Sequence, residues 1–268
     1  MGRALGLMCG AGVMPARMAA EARRQGWRVV AFVFGDAPGV DAAADLTIPS
    51  RLVEIGPVFE ALQREAITAA LFAGKFWLSD ILRTERGDSA GEALVERAGS
   101  VAESNLTGAV LAAFGGLGVE ILDQRAFVGD WLGGAGVLST RTPTDGEWAD
   151  VRRGLGMARM CAEARVGQTV VVKRGVVVAV EAAEGTTAAI RRGGELAGGG
   201  AVAVKVVARD NDYRFDTPTI GVETIEAAAA SGVSVLAVEA NRVLVLDREA
   251  AVAAANRAGL ALVSVDDD

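Results

Sequence analysis

The sequence predicts an α/β protein of two domains, and three observations lead to this fold class. Residues 4 to 34 have the pattern of a strand, a glycine turn, a helix and a second strand, which makes the N-terminal domain Rossmann-like. Further segments typical of strands and helices follow, which indicates a mixed α/β C-terminal domain. The chain has 268 residues, 51% of them hydrophobic, which is enough to fill two ordinary cores.

The first domain is predicted to span residues 1–128. Leu5 to Met8 forms a predicted strand, Pro15 to Gln25 a helix that ends at Gly26, and Arg28 to Phe34 a second strand. The later predicted elements of this domain are a helix over 57–65, a strand over 69–73, a helix-rich region over 78–114 and a strand over 119–122.

A linker is predicted at 129–138, because four glycines fall within the eight residues from Gly129 to Gly136. The second domain, 139–268, opens with a helix to about Ala164, since Thr144 and Glu147 have the spacing of a capping box. The later predicted elements are strands over 169–173, 176–180, 201–207, 233–239, 242–247 and 260–265, helices over 187–192, 222–231 and 248–258, a tight turn at 174–175 and a hairpin turn at 240–241.

The composition excludes several classes of function. The chain contains no histidine, so histidine metal sites and histidine acid–base catalysis are absent. The net charge of −7 disfavours a nucleic-acid partner, because affinity for nucleic acid depends on Lys and Arg. Cys9 and Cys161 belong to no C-x-x-C pair and are expected to be reduced core thiols. No leader and no run of about eighteen apolar residues is visible, so we expect a cytoplasmic protein.

The loop after the predicted strand 201–207 concentrates charged residues. Asp210, Asp212, Arg214 and Asp216 lie close together, and Pro218 restricts the backbone just after them. Carboxylates suit a divalent cation and guanidinium suits phosphate, so this loop is a candidate site. A solvated loop with ordinary turn acids is the alternative that the spacing leaves open.

The glycine turn Gly10 to Gly12 precedes the first helix, where free amides can hold an anion. Pro15 stands where a dinucleotide fingerprint has its third glycine, so a phosphate contact is favoured over a dinucleotide site. Lys75 follows the strand at 69–73, at the edge of the sheet where α/β proteins bind ligands. A merely tight turn and an exposed surface lysine are the alternatives.

A third candidate region follows the strand at 176–180. Glu181 and Glu184 precede Gly185 and Thr186, which could make an anion contact at the start of a helix.

These motifs, in their order and spacing, resemble the LpxI-type UDP-2,3-diacylglucosamine pyrophosphatases of lipid A synthesis. The resemblance rests on the glycine-rich opening at 10–15 and on the segments 167–172, 180–186 and 214–221. It implies Mg²⁺-dependent hydrolysis of the pyrophosphate of UDP-2,3-diacylglucosamine to UMP and 2,3-diacylglucosamine 1-phosphate, lipid X.

The chemistry of individual residues agrees with that class of reaction. Asp216, aided by Asp212, would hold the metal or orient water, while Arg214 and Lys205 offset charge as the P–O bond breaks. The residues expected to bind substrate are Gly10, Gly12, Lys75, Glu184, Gly185, Thr186, Lys205 and Thr219. Since the substrate is a lipid, we expect transient contact with the cytosolic face of the inner membrane, and the chain is compatible with a homodimer.

Two departures from the family pattern keep other functions open. Thr187 stands where the family has an Asp, and the family's Gly-Asp-Asp helix opening corresponds only to Ser104-Asn105-Leu106 or to Gly87-Asp88-Ser89. A non-catalytic binder of a lipid or nucleotide-sugar is therefore one alternative. A nucleotide-dependent oxidoreductase, with Asp36 as its ribose-binding acid, is the other.

Overall fold

The structure, a computed structural model, describes residues 3–76, 87–99 and 103–266. The chain forms two compact units. The N-terminal unit contains the described residues up to Val128 together with Asp212–Asp216, and the C-terminal unit contains Gly129–Asn211 and the residues from Thr217 onwards. The chain therefore passes between the units three times, after Val128, Asn211 and Asp216.

The N-terminal unit is built on a parallel sheet of five strands in the order β3-β2-β1-β4-β5. Its strands are β1 (Ala4–Cys9), β2 (Arg28–Val33), β3 (Leu46–Pro49), β4 (Ala69–Ala73) and β5 (Glu120–Ile121). Its helices are α1 (Met14–Arg24), α2 (Val40–Ala43), α3 (Gly56–Arg64), α4 (Ser89–Ala98) and α5 (Glu103–Gly116), with a short 3₁₀ helix at Gln124–Phe127. This strand order is that of a Rossmann-like sheet.

Every residue of β1 is buried, as expected for a central parallel strand that is covered on both faces. Helix α1 packs its apolar stripe, Met18, Ala19 and Ala22, toward the core. The elements predicted over 4–34, 57–65, 69–73 and 119–122 are confirmed within one or two residues. Of the region predicted to be helix-rich, 78–86 and 100–102 lie outside the described residues.

The C-terminal unit contains a mixed sheet of six strands in the order β6-β13-β11-β9-β7-β8, and the two-stranded parallel pair β10-β12. Its strands are β6 (Gly136–Val137), β7 (Thr169–Lys173), β8 (Val176–Val180), β9 (Ala201–Lys205), β10 (Thr219–Ile220), β11 (Val233–Glu239), β12 (Leu244–Val245) and β13 (Ala261–Val265). Its helices are α6 (Asp145–Glu163), α7 (Thr186–Ala197), α8 (Val222–Ala230) and α9 (Arg248–Ala258), with a 3₁₀ turn at Gly129–Trp131. The two-domain α/β fold class is confirmed.

Helix α6 begins at the predicted capping box. The hydroxyl of Thr144 accepts a hydrogen bond from the N–H of Glu147 at 3.3 Å, and the carboxylate of Glu147 accepts one from the N–H of Thr144 at 2.8 Å. The tight turn between β7 and β8 is also confirmed: the buried carboxylate of Asp150 accepts from the N–H of Arg174 at 2.7 Å and of Gly175 at 2.6 Å.

One prediction about the C-terminal unit is wrong, and two predicted elements are present with different ends. The turn at 240–241 does not form a hairpin, because β11 has parallel neighbours on both sides and β12 pairs with β10 instead. The helix predicted at 187–192 is longer and runs to Ala197. The strand predicted over 201–207 ends at Lys205.

The predicted linker segment carries structure of its own. Gly136–Val137 forms β6 and pairs antiparallel with β13, and the carbonyl of Gly133 accepts a hydrogen bond from Asn241 N–H at 2.9 Å. Cys9 is buried as expected, whereas Cys161 is only partly buried. Among the described residues, no helix has both the length and the apolar character needed to cross a membrane.

Candidate active site

The strand order of the N-terminal sheet reverses between β1 and β4, and two predicted binding segments meet at this switch point. Gly10 to Gly12 follows β1, and Gly74 with Lys75 follows β4. The N–H of Ala11 donates to the carbonyl of Lys75, and the N–H of Lys75 donates to the carbonyl of Ala11, both at 2.8 Å. The carboxyl ends of strands at such a switch point are where α/β sheets bind ligands.

The two glycines of this turn have backbone reasons to be glycine. A Cβ on Gly10 would lie 2.5 Å from the carbonyl oxygen of Lys75, and Gly12 has a φ of +102°, which other residues rarely adopt. The N–H groups of Gly10, Ala11 and Gly12 each donate to a backbone carbonyl at 2.8 Å. An anion at this turn would therefore use amides further along, at the start of α1. Binding of substrate by Gly10, Gly12 and Lys75 stays a prediction.

The side chain of Asp36 is exposed, and its carbonyl accepts the hydrogen bond from Gly12. Phe76 packs against Phe34 and Phe72 with ring centroids 6.0 Å apart. The residues that follow it, 77–86, lie outside the described part of the chain.

The three predicted catalytic residues lie on the segment Asp212–Asp216, which belongs to the N-terminal unit. The segment is a closed turn, because the N–H groups of Phe215 and Asp216 donate to the carbonyl of Asp212 at 3.1 and 3.3 Å. The ring of Phe215 lies 5.2 Å from that of Phe72 on β4. Five residues from the C-terminal half of the chain thus belong to the N-terminal unit, and Phe215 packs against its core.

Asp212 and Arg214 form a two-pronged ion pair. Arg214 Nε lies 2.9 Å from Asp212 Oδ1, and Arg214 Nη2 lies 2.7 Å from Asp212 Oδ2. The hydrogen bonds and charge of Arg214 hold the pKa of Asp212 below its ordinary value, and Asp212 in turn raises the pKa of Arg214. Both groups stay charged at neutral pH, and Asp212 is not a free base.

Asp216 follows this pair on the same turn and is partly buried. Its peptide neighbour Thr217 is buried and belongs to the C-terminal unit. The hydroxyl of Thr219 donates to the carbonyl of Thr217 at 2.7 Å, which shapes the backbone just after Asp216.

The C-terminal unit gathers three polar side chains at the carboxyl ends of β8 and β9. Lys205 Nζ donates to the hydroxyl of Thr186 at 2.9 Å and to the carbonyl of Thr219 at 3.2 Å. The Thr186 hydroxyl in turn donates to Glu181 Oε1 at 2.9 Å. The structure thus brings together Lys205, Thr186 and Thr219, three of the predicted substrate-binding residues.

Glu181 completes this polar cluster, although it was not among the predicted binding residues. Its second oxygen, Oε2, is buried and meets no hydrogen-bond partner in the part of the chain that the structure describes. A buried oxygen of this kind is an acceptor that a water, an ion or a ligand can satisfy. The sequence signal was its place directly after the apolar strand β8.

Glu184 does not join the cluster. Its carboxylate contacts Arg192 and accepts from the N–H of Ala182 at 3.0 Å, and the hydrogen bond from Arg192 is the main reason that its pKa is lowered. Gly185 is the N-cap residue of α7, with a φ of +82°. Thr187 follows in the first turn of that helix and is partly buried. Glu184 therefore shapes the turn before α7.

The described residues offer a metal ion few ligands. In residues 3–76, 87–99 and 103–266 no group of three or more acidic or cysteine side chains is placed to hold one. Asp212 would have to release a hydrogen bond to Arg214 before binding a cation. Mg²⁺ is commonly bound by one or two carboxylates plus substrate phosphates, so Asp216 fits such an ion only together with a phosphorylated ligand.

A parallel sheet with its loops at the switch point, and a polar cluster at the strand ends of a mixed sheet, define a two-domain α/β protein with a Rossmann-like N-terminal domain. Two family models match this chain. The LpxI N-terminal domain model matches residues 4–131, and the LpxI C-terminal domain model matches residues 134–263.

One relative agrees with the family models. UDP-2,3-diacylglucosamine pyrophosphatase LpxI of Caulobacter vibrioides is 34% identical over 281 residues, an alignment that covers 98% of each chain. The chain belongs to the LpxI family, which confirms the resemblance. The structure of glycinamide-RNase-transformylase T from Mycobacterium tuberculosis is 17% identical, covers 67% of this chain and 44% of its own, and has a TM-score of 0.25. A TM-score this low does not show a shared fold.

Proposed function

We propose that this protein hydrolyses the pyrophosphate bond of UDP-2,3-diacylglucosamine to UMP and 2,3-diacylglucosamine 1-phosphate. The observation that carries this proposal is the 34% identity, over 98% of both chains, to the Caulobacter protein that has this activity in its name. The sequence motifs of the candidate site agree with it, since Thr186 and Asp216 stand in the segments 180–186 and 214–221, and Lys205 lies in the region that the C-terminal domain model matches.

The reaction requires water to attack one phosphorus as the bond from that phosphorus to the bridging oxygen breaks. Asp216 supplies the carboxylate that orients the water or holds a metal ion. Charge develops on the departing phosphate, and fixed cations stabilise it. Arg214 is held ready by Asp212 in the N-terminal unit, and Lys205 is buried and aligned by Thr186 in the C-terminal unit.

Magnesium is part of this proposal. When Mg²⁺ is bound, it neutralises charge on the phosphate oxygens and can acidify a bound water. Asp216 is the residue proposed to hold it, with the substrate's own phosphates as further ligands. EDTA should remove activity and Mg²⁺ should restore it. Substrate affinity, measured with and without Mg²⁺ under conditions in which no turnover occurs, shows whether the metal assists binding or only the chemical step.

The variant Asp216→Asn tests the catalytic assignment. It removes the charge with little change of volume, so we expect kcat to fall about 100-fold or more while product affinity and unfolding are kept. Asp41→Asn, on the exposed surface of the N-terminal unit, is the matched control. Turnover of labelled substrate is the measurement, and an Asp216→Asn protein with nearly wild-type kcat rejects the assignment.

A non-catalytic binder remains the second candidate, because Thr187 stands where the family has an Asp. Calorimetry with UMP and with the lipid product, beside the turnover assay, separates the two functions. Tight product binding with no turnover at any Mg²⁺ concentration supports the binder.

Membrane contact and self-association complete the proposal. A substrate with two acyl chains resides in a bilayer, so we propose transient contact of the protein with the cytosolic face of the inner membrane. Sedimentation with vesicles that contain the substrate, against vesicles that lack it, tests this contact. Analytical ultracentrifugation tests the proposed homodimer.

A further inference from the structure

The sequence pattern Asp-x-Arg occurs twice in the N-terminal unit, at 123–125 and at 212–214, and the two copies contact each other. In each copy the arginine folds back onto its own aspartate. Arg125 Nε lies 3.0 Å from Asp123 Oδ1 and Nη2 lies 2.6 Å from Asp123 Oδ2, as Arg214 does with Asp212. The first copy begins two residues after the end of β5, at the carboxyl edge of the sheet.

The backbone joins the two copies through their middle residues. The N–H of Gln124 donates to the carbonyl of Tyr213 at 2.9 Å. Both residues are buried, so this hydrogen bond is shielded from water. This hydrogen bond fixes the position of the backbone at Tyr213, in the first half of the turn.

The side chain of Arg125 covers the ring of Tyr213. Its guanidinium carbon lies 4.2 Å from the ring centroid, in the geometry of a cation–π contact. The ion pair with Asp123 holds the guanidinium group over the ring. Arg125 is about half exposed, with 47% of its side chain accessible, so its main effect is local and its contribution to global stability is small.

The second half of the turn is fixed by Phe215. Its ring packs on Phe72 of β4 at 5.2 Å. Tyr213 and Phe215 therefore anchor the turn on both sides of Arg214, and Asp216 comes directly after the second anchor. A shift of the turn by about 1 Å is enough to lower the rate of a reaction that depends on a placed carboxylate.

We propose that Arg125 is a positioning residue, which acts through Tyr213 to hold the turn that presents Asp216. This inference rests on the proposed function, in which Asp216 is the catalytic carboxylate. Arg125 itself contacts the turn and has no assigned contact with substrate.

Kinetics of three variants test the proposal. We expect Arg125→Ala to lower kcat 10- to 100-fold with KM changed less than threefold, and Arg125→Lys to recover part of the loss because it keeps a cation over the ring. Arg28→Ala is the matched control: Arg28 is 45% exposed and lies 2.7 Å from Glu65 in the same unit. We expect its kcat within twofold of wild type. An Arg125→Ala enzyme with kcat within twofold of wild type overturns the proposal.

Hydrogen–deuterium exchange supplies a readout that does not depend on activity. The amides of Phe215 and Asp216 close the turn, so Arg125→Ala should speed exchange of the peptide that contains them about tenfold, and Arg28→Ala should not. Unchanged exchange in that peptide overturns the positioning role even where kcat falls. If wild type fails to turn over the diacyl nucleotide-sugar, the proposed function fails, while the exchange experiment still decides whether Arg125 holds the turn.

Discussion

The ammonium group of Lys205 and the hydroxyl oxygen of Thr186 lie 2.9 Å apart, and the direction of that hydrogen bond is determined. The only proton of the Thr186 hydroxyl is donated to Glu181, so its oxygen accepts from Lys205. The end of β9 is thereby joined to the first residue of α7 through a single hydroxyl.

Removal of that hydroxyl should be costly. We expect Thr186→Val to lower the free energy of unfolding by about 1–3 kcal/mol, because Glu181 and Lys205 lose their shared partner in a partly buried site. Thr186→Ser keeps the hydroxyl and should stay within about 0.5 kcal/mol of wild type. Urea unfolding measures both. Equal stabilities for Val and Ser would mean that the cluster is solvated and does not order the site.

Gly10, in the glycine turn, and Gly146, in α6, give a paired prediction: replacement by alanine should change stability in opposite directions at the two positions. Gly10→Ala should lower stability by about 1–3 kcal/mol, since the new Cβ would lie 2.5 Å from the Lys75 carbonyl oxygen. Gly146→Ala, in the first turn of α6 with open space around it, should raise stability by about 0.4–1 kcal/mol. Thermal unfolding of the two variants checks the contrast, and a tolerated Gly10→Ala would show that the two backbones can separate at little cost.

Local sequence patterns predicted most of the secondary structure. The uninterrupted apolar run of β1, the capping box at Thr144 and the turn at Arg174 each depend on residues close in sequence, and all three are confirmed. The pairing of β12 with β10 could not be predicted this way, because it joins two short segments that are far apart in the sequence.

The end of α7 and the place of the segment Asp212–Asp216 differ from the sequence predictions, because both depend on tertiary packing. The predicted helix over 187–192 stops before Gly193 and Gly194, yet both lie inside α7, where a Cβ would come within about 2.5 Å of Val171 at Gly193 and of Ser231 at Gly194. The segment Asp212–Asp216 falls within the predicted C-terminal domain by its position in the chain. Its contacts with Phe72 and Gln124 instead make it part of the N-terminal unit.

The capping box at α6 gives a pH dependence with a definite sign. Burial would raise the pKa of Glu147, but hydrogen bonds from Ser234, from the Thr144 N–H and from Arg141 outweigh it and lower the pKa from 4.5 to about 2. The ionised carboxylate therefore stabilises the fold fully above pH 4.5, and this contribution is lost as the pH falls toward 2.

We therefore expect Glu147→Gln to be less stable than wild type at neutral pH, with a difference that narrows as the pH falls from 4.5 to 2. Urea unfolding across that range measures it. Glu195→Gln, at an exposed position of α7, is the control and should show no such convergence. A difference that stays constant with pH would assign the Glu147 contribution to packing and not to charge.

Asp88 provides the last prediction, because one carboxylate serves the first turns of two helices. Oδ1 accepts from the N–H of Gly91 in α4 at 2.7 Å, and Oδ2 accepts from the N–H of Gly56 in α3 at 2.7 Å. A single N-cap contributes about 1 kcal/mol, so the loss of both contacts in Asp88→Ala should cost about 2–3 kcal/mol. Asp88→Ser, which keeps a cap for α4 but is too short to reach α3, should fall between Asp88→Ala and wild type. Thr144→Ala, which removes one cap from α6, is the reference in the same urea titration. If Asp88→Ala costs no more than Thr144→Ala, the contact with Gly56 adds no stability, and α3 begins independently of Asp88.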